Sequence, residues 1–162
     1  MYLQIGLKKS GFMLKLSRKS EYGIIALKYM LNRGDGTLST TREIATRFKI
    51  PEQLMAKILQ KLVKSGIVMS TQGVRGGYVL ALPPEKITIA KIVESIEGPV
   101  GIVDCVVSGE DCHCVQFEGG VCNIDEPFAH IQMQFKNFLN GISLADLNQP
   151  RALQTPLVQI SV

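Results

Sequence analysis

A chain of 162 residues can bury a core without covalent staples, and its 46% hydrophobic and 20% charged residues are those of an ordinary globular protein. No apolar run approaches the roughly 18 residues that cross a bilayer, and the first twelve residues do not read as a secretory signal, so the expected setting is the cytoplasm with no membrane partner. The net charge of +4 is unevenly spread: residues 13–77 hold twelve Lys and Arg against four Asp and Glu, and residues 78–162 hold four against ten, so a polyanion would meet only the front half.

Residues 1–12 read as an N-terminal extension or the product of an upstream start, because Met13-Leu14-Lys15-Leu16 is itself a natural beginning. Ser17 can cap a helix running to Asn32, with Tyr22, Ile25, Leu27, Tyr29, Met30 and Leu31 as its apolar surface and Gly34-Asp35-Gly36 as its end. Thr40 and Glu43 have capping-box spacing and predict a short helix from Thr41 to Phe48. Pro51 in a first turn and Gly66 at a left-handed cap bound a third helix over 51–65, which completes a helix-turn-helix outline. At about 100° per residue, Leu54, Met55, Ile58, Leu59, Leu62 and Val63 share one arc of it. Gln53, Lys57, Gln60, Lys61 and Lys64 form an opposite face of hydrogen-bond donors.

Two β-type runs, Ile67–Thr71 and Tyr78–Leu82, flank Gln72-Gly73-Val74-Arg75-Gly76-Gly77, whose glycines suit a hairpin turn. Residues 13–84 therefore predict a winged helix-turn-helix domain, mainly α with a small β-hairpin, closed by Pro83-Pro84. Thr88 can cap a connecting helix within 85–99, with Ile89, Ile92, Val93 and Ile96 as one buried stripe and Glu97-Gly98-Pro99 as its stop. Residues 100–125 read as a loop. Phe128, Ile131, Phe135 and Phe138 then repeat at three and four along a helix from Glu126 to Asn140, a narrow seam of the kind that mates helices of two subunits. Asp125 and Pro127 mark its start and Gly141 its end, and residues 126–147 as a whole are assigned to a long C-terminal dimerisation helix, followed by a flexible tail over 148–162.

The second helix of a helix-turn-helix enters the major groove, its first residues reaching base edges while basic side chains meet phosphate. Gln53 and Lys57 are accordingly the candidate base readers, since glutamine pairs with adenine and lysine reaches guanine. Lys61 and Lys64, further along, are candidate phosphate contacts, as are Arg18 and Lys19 at the first helix start. Arg75 at the hairpin tip suits the minor groove or the backbone, and Gln72 and Thr41 complete the candidate DNA-binding set. A lysine-rich helix face also suits plain solvation; the wing and the charge split favour double-stranded DNA.

All four cysteines, Cys105, Cys112, Cys114 and Cys122, fall in one 18-residue window with the spacing C-x6-C-x-C-x7-C. Clustered thiolates suit an iron-sulfur cluster or zinc. Structural zinc sites usually show knuckles with two to four residues between cysteines; this chain has none, although Cys112-His113-Cys114 offers an irregular alternative. Unligated thiols in one flexible loop would oxidise readily.

The stretches Leu16-Ser17-Arg18-Lys19-Ser20-Glu21-Tyr22, Arg42-Glu43-Ile44-Ala45, Leu62-Val63-Lys64-Ser65-Gly66-Ile67-Val68, Arg75-Gly76-Gly77-Tyr78-Val79-Leu80-Ala81, Ile96-Glu97-Gly98-Pro99 and Leu144-Ala145-Asp146-Leu147 together resemble the IscR/NsrR-type (Rrf-type) winged-helix transcriptional regulators over residues 13–147. The resemblance implies a homodimer joined by its long C-terminal helix, partly palindromic operator DNA, and a 2Fe-2S or 4Fe-4S cluster held by three cysteines. Its state would control DNA binding, most simply in a repressor. Val103-Asp104-Cys105 matches the first ligand and Cys122 the last, while Cys112 and Cys114 compete for the middle one. For the fourth ligand the resemblance implies a partner-chain carboxylate at Glu21, or a group at Asp125 where some relatives have histidine; Glu21 stands first, with the spare cysteine next to it. Asp125 equally suits a helix N-cap, and Glu21 a first-turn partner of the helix dipole. Relatives often carry Glu-Gln at Ala56-Lys57, arginine at Gln72 and glycine at Arg75, so this chain's operator is expected to be its own. The competing readings are a zinc- or thiol-based regulator of the same fold, an iron-sulfur electron carrier or enzyme, and an adaptor with a stapled loop.

Overall fold

A computed structural model describes residues 16–103 and 123–148; the expectations for residues 1–15, for Cys105, Cys112, Cys114 and Cys122, and for residues 149–162 lie outside the described residues. Helix α1 (Arg18–Arg33) starts where Ser17 Oγ accepts the Ser20 amide at 3.1 Å and stops at Gly34, whose φ of 87° is a conformation only glycine adopts without strain. Helix α2 (Thr41–Phe48) carries the full capping box, Thr40 Oγ1 accepting the Glu43 amide and Glu43 accepting the Thr40 amide. Helix α3 (Glu52–Lys64) follows a turn in which Lys49 adopts the left-handed φ of 54°. That turn lets the Ile50 amide bond the Ala45 carbonyl at 2.9 Å and buries Ile50.

Strands β1 (Val68–Thr71) and β2 (Gly77–Leu80) pair antiparallel with Val68 opposite Leu80 and Thr71 opposite Gly77. An isolated bridge, which sequence periodicity does not announce, joins the other edge of β2: Ser39 and Tyr78 exchange backbone hydrogen bonds of 2.9 and 2.8 Å. So short a segment cannot show an alternation. The wing is thereby fastened to the chain entering α2.

A 3-10 turn (Pro84–Lys86) leads into helix α4 (Ile89–Glu97), capped by Thr88. The sequence suggests a connector, but α4 is the centre of the core: Ile89, Ala90, Ile92, Val93 and Ile96 are all buried, against α1 and α3. Gly23 makes this possible, since a Cβ there would collide with Ile96 Cδ1.

Helix α5 (Asp125–Asn140) begins at Asp125, with Ile124 as the cap residue and no side-chain cap hydrogen bond, so the N-cap expected of Asp125 is one residue away. The segment assigned to one dimerisation helix over 126–147 divides at Gly141. Beyond it the chain turns back and pairs with the residues before α4, the Ile89 amide bonding the Ile142 carbonyl at 2.9 Å and the Leu144 amide the Ile87 carbonyl at 2.8 Å. Leu144 is fully buried, Leu139 nearly so, and Asp146 closes the turn by accepting from the Ser143 amide and hydroxyl at 2.8 and 2.6 Å. No described helix is long and apolar enough to cross a membrane.

The return segment is therefore part of the core rather than an appendage. Leu144→Ala is expected to lower unfolding stability by about 2–5 kcal/mol, read from the urea midpoint, whereas Met69→Ala on the exposed face of β1 changes it by about 0.5 kcal/mol or less. Equal small shifts for both would show that residues 141–148 lie loosely on the surface.

Candidate nucleic-acid interface and sensor segment

Helix α3 divides as its sequence predicts. Met55, Ile58, Leu59 and Leu62 are buried, while Gln53, Lys57, Gln60 and Lys64 stand on the outer side. Gln53 shares a shallow cleft with Thr41, Pro51, Glu52 and Ala56, so the starts of α2 and α3 face the same space. A duplex laid there would meet the first turns of both helices, whose unpaired amides and dipoles favour phosphate.

Lys61 behaves differently from its neighbours. Its Nζ donates to the Ile96 carbonyl in the last turn of α4, so the ammonium assigned to phosphate is turned back onto the protein. The negative end of the α4 dipole makes that a favourable place for a cation.

The wing tip presents Gln72, Val74 and Arg75 to solvent, Val74 with its whole surface exposed. Gly73 takes a φ of 116° and its carbonyl accepts the Gly76 amide at 2.9 Å; a Cβ on Gly76 would strike the Thr71 carbonyl, so glycine is required at both positions. Arg18 and Lys19 are exposed at the start of α1, and Arg18 pairs with Glu21 at 3.3 Å. Ser17 Oγ also donates to Glu97 Oε1, tying the start of α1 to the end of α4. Glu21 is half-buried beside this joint, and Arg18 engages only its Oε2.

A polar clasp holds α1 against α2. The Tyr29 hydroxyl donates to Glu43 Oε1 at 2.6 Å, Arg33 donates to both the hydroxyl and the carboxylate, and Arg47 lies over the rings of Tyr29 and Phe48. The Tyr29 hydroxyl, followed by the Thr40 amide and Arg33, holds the Glu43 carboxyl below its ordinary range despite partial burial acting the other way.

The four cysteines, Cys105, Cys112, Cys114 and Cys122, lie outside the described residues, and among the described residues no three His, Cys, Asp or Glu side chains come together as a metal site. The approach to Cys105 is described, however, and it is anchored. Gln132 of α5 accepts the Ile102 amide at 2.9 Å and donates to the Val100 carbonyl, gripping the chain on both sides of Gly101. Neither Gln132 nor the inward role of Lys61 is among the residues expected from sequence. A polar residue set four after Phe128 and three before Phe135, on the inner edge of an apolar stripe, is the available signal for the first; nothing local signals the second.

The model of the Rrf2 family, described as "Iron-dependent Transcriptional regulator", matches residues 16–150. The chain belongs to the Rrf2 family. Consistent with that membership, it is 35% identical over 127 residues to an Aquifex aeolicus (strain VF5) protein carrying the name of an HTH-type transcriptional regulator, a span covering 78% of this chain and 85% of the relative. The structure of CymR, the global cysteine regulator of B. subtilis, aligns with a TM-score of 0.62 at 27% identity, covering 83% of this chain and 95% of that one. T. potens IscR shares the fold, with a TM-score of 0.60 at 23% identity over 90% of this chain and 94% of its own. This Rrf2 protein is thus a winged-helix, DNA-binding transcriptional regulator and not an enzyme.

The clasp between α1 and α2 carries a pH signature. Because the folded-state pKa of Glu43 is lowered, its contribution to stability is complete above the unfolded glutamate value of about 4.3 and is lost as pH falls through the folded value. Tyr29→Phe, which keeps the ring against Phe48, is expected to be less stable than the parent at pH 7, with a gap that narrows on acidification through that range. Urea midpoints at neutral and acid pH measure it, and a pH-independent gap would assign the loss to packing instead.

Proposed function

We propose that this regulator is a cytoplasmic homodimer whose hold on partly palindromic operator DNA is set by an iron-sulfur cluster, most simply as a repressor. The observation that carries the reading is the confinement of all four thiols to residues 105–122, between α4, which is packed against the recognition helix α3, and α5. The donor set fits the group, since thiolates favour iron-sulfur clusters and the spacing lacks zinc knuckles. Cys105, Cys122 and one of Cys112 and Cys114 would hold the cluster, with Glu21 of the partner chain, Asp125 or the spare cysteine as fourth ligand. Bound there, the cluster supplies a centre that oxidants, nitric oxide or iron scarcity can alter. The family's description as iron-dependent supports this reading.

The outer half of α5 supports the dimer. Ile124, Ile131 and Phe138 are 47%, 47% and 42% exposed along one line, next to the Phe135 and Leu139 side that meets the core. An apolar line of that length suits a second copy's helix.

On the DNA side, Gln53 and Lys57 read bases, Lys64, Arg18, Lys19 and Thr41 meet phosphate, and the wing tip with Gln72 and Arg75 follows the adjoining backbone or minor groove. Gln53→Ala is expected to relax preference at one operator position by about 1–3 kcal/mol. Lys64→Ala should weaken all sequences alike and flatten the dependence of log affinity on log salt by about 0.9 for each phosphate left unneutralised. Fluorescence titrations at two salt concentrations separate the two; a base-specific effect of Lys64→Ala would reverse the assignment.

The deciding experiment is purification without oxygen, with iron and sulfide counted per chain and operator affinity measured before and after nitric oxide or air. Iron, equimolar sulfide and an affinity that changes with the visible spectrum are expected. Iron-free protein whose affinity responds to reversible thiol oxidation would instead support the thiol-based reading, which the likeness to a global cysteine regulator makes the second choice.

A further inference from the structure

The end of α4 meets three other parts of the molecule within a few residues. Lys61 of α3 donates to the Ile96 carbonyl, and Ser17 at the head of α1 donates to Glu97. Gly98 then turns the chain with a φ of 98°, its amide held by the Glu94 carbonyl at 3.0 Å. Immediately beyond, Gln132 pairs with Val100 and Ile102 as a neighbouring strand would, using the amide oxygen and the amide nitrogen together. Helix α5 is itself fixed to α4 by Lys136 and Glu94 at 2.7 Å.

Ile102 stands three residues before Cys105, and Ile96 six before Ile102. The path from the thiol segment to the recognition helix therefore runs through one side-chain amide, one glycine and one ammonium. Gln132 is half-buried with its donor and acceptor both engaged, and Lys61 alone among the lysines of α3 turns its charge inward. Neither arrangement is needed for a helix face that only meets DNA.

We propose that Gln132 and Lys61 are positioning residues that link the cysteine-bearing segment to the recognition helix, Gln132 by fixing residues 100–102 to α5 and Lys61 by fixing α3 to the end of α4. The inference rests on the cluster reading above. It removes Lys61 from the phosphate contacts and gives it a role in the response to the signal.

The test compares wild type with Gln132→Leu and Lys61→Met, and with Lys61→Arg and Gln132→Glu as versions that keep a donor to the carbonyl or an acceptor for the Ile102 amide. The probe is a labelled operator fragment selected in vitro by the wild-type protein, titrated against cluster-loaded and cluster-free full-length chains at two salt concentrations. Cluster absorbance and circular dichroism are recorded for each. The wild-type ratio of affinities in the two states, about 5- to 150-fold for couplings of this kind, is expected to fall toward one in Gln132→Leu and Lys61→Met. Lys61→Arg and Gln132→Glu should keep part of it. The salt slope of Lys61→Met should match wild type.

A salt slope flattened as for Lys64→Ala would return Lys61 to the phosphate contacts and overturn its linking role. Retention of the full ratio in both variants, or loss of the cluster itself in Gln132→Leu, would overturn the link while leaving the functional reading intact. A wild-type ratio of one would remove both. Should either apolar variant fail to fold, the donor-retaining and acceptor-retaining versions decide: a full ratio in Gln132→Glu, which cannot donate to Val100, counts against the clamp.

Discussion

Ile96 lies where α1, α3 and α4 converge, and the rest of the molecule is arranged around that contact. Its side chain is fully buried against Gly23, whose missing Cβ lets α1 approach, and Ile58 of α3 lies nearby; its carbonyl receives Lys61. A close-packed interior resists small changes in volume, so the seating of α4 helps to hold the axis of α3, together with the turn that joins it to α2. The donor face of α3 points outward because Met55, Ile58, Leu59 and Leu62 have no other place to go.

Where local chemistry decides a boundary, the sequence was readable. Thr40 with Glu43, Ser17, Thr88 and Gly34 each satisfy or release backbone groups within a few residues of themselves, and the helices they delimit lie within a residue or two of expectation. What escaped depends on partners distant in sequence. Ser39 pairs with Tyr78, Ser143 with Thr88, and Lys61 with Ile96, and neither member of any pair carries a pattern that names the other. The same distinction explains the reading of α4: its stripe of isoleucines announced burial, but only the fold reveals that it is enclosed by α1, α3 and α5. Of the candidate site, the exposed positions of Gln53, Lys64 and Arg75 and the outward placement of Lys57 were legible from periodicity and turn chemistry, whereas the inward turn of Lys61 was not.

Helix α5 shows how one apolar stripe can serve two ends. At about 100° per residue, Ile124, Phe128, Ile131, Phe135 and Phe138 lie close to one line, with Leu139, Gln132 and then Lys136 progressively to one side of it. That side leans on α4 through the ion pair of Lys136 with Glu94, while Ile131 and Phe138 remain uncovered. The narrow seam seen in the sequence is the margin between an intramolecular contact and an available surface. Any second copy docking there would bear directly on the helix that holds residues 100–102.

The strength of these links suits a switch better than a rigid scaffold. A response of 5- to 150-fold in operator affinity corresponds to about 1–3 kcal/mol of coupling. One intramolecular hydrogen bond contributes about 0.5–1.5 kcal/mol net, and one to a charged group about 1.5–3 kcal/mol. The two bonds of Gln132 and the single bond of Lys61 therefore lie in the range the response requires, without rearrangement of the buried isoleucines that stabilise the fold. Coupling carried through the core itself would require buried aliphatic side chains to repack, which a close-packed interior resists. On the link proposed above, a signal arriving at residues beyond Ile102 would reach α3 through groups at the edge of the core and leave its interior in place.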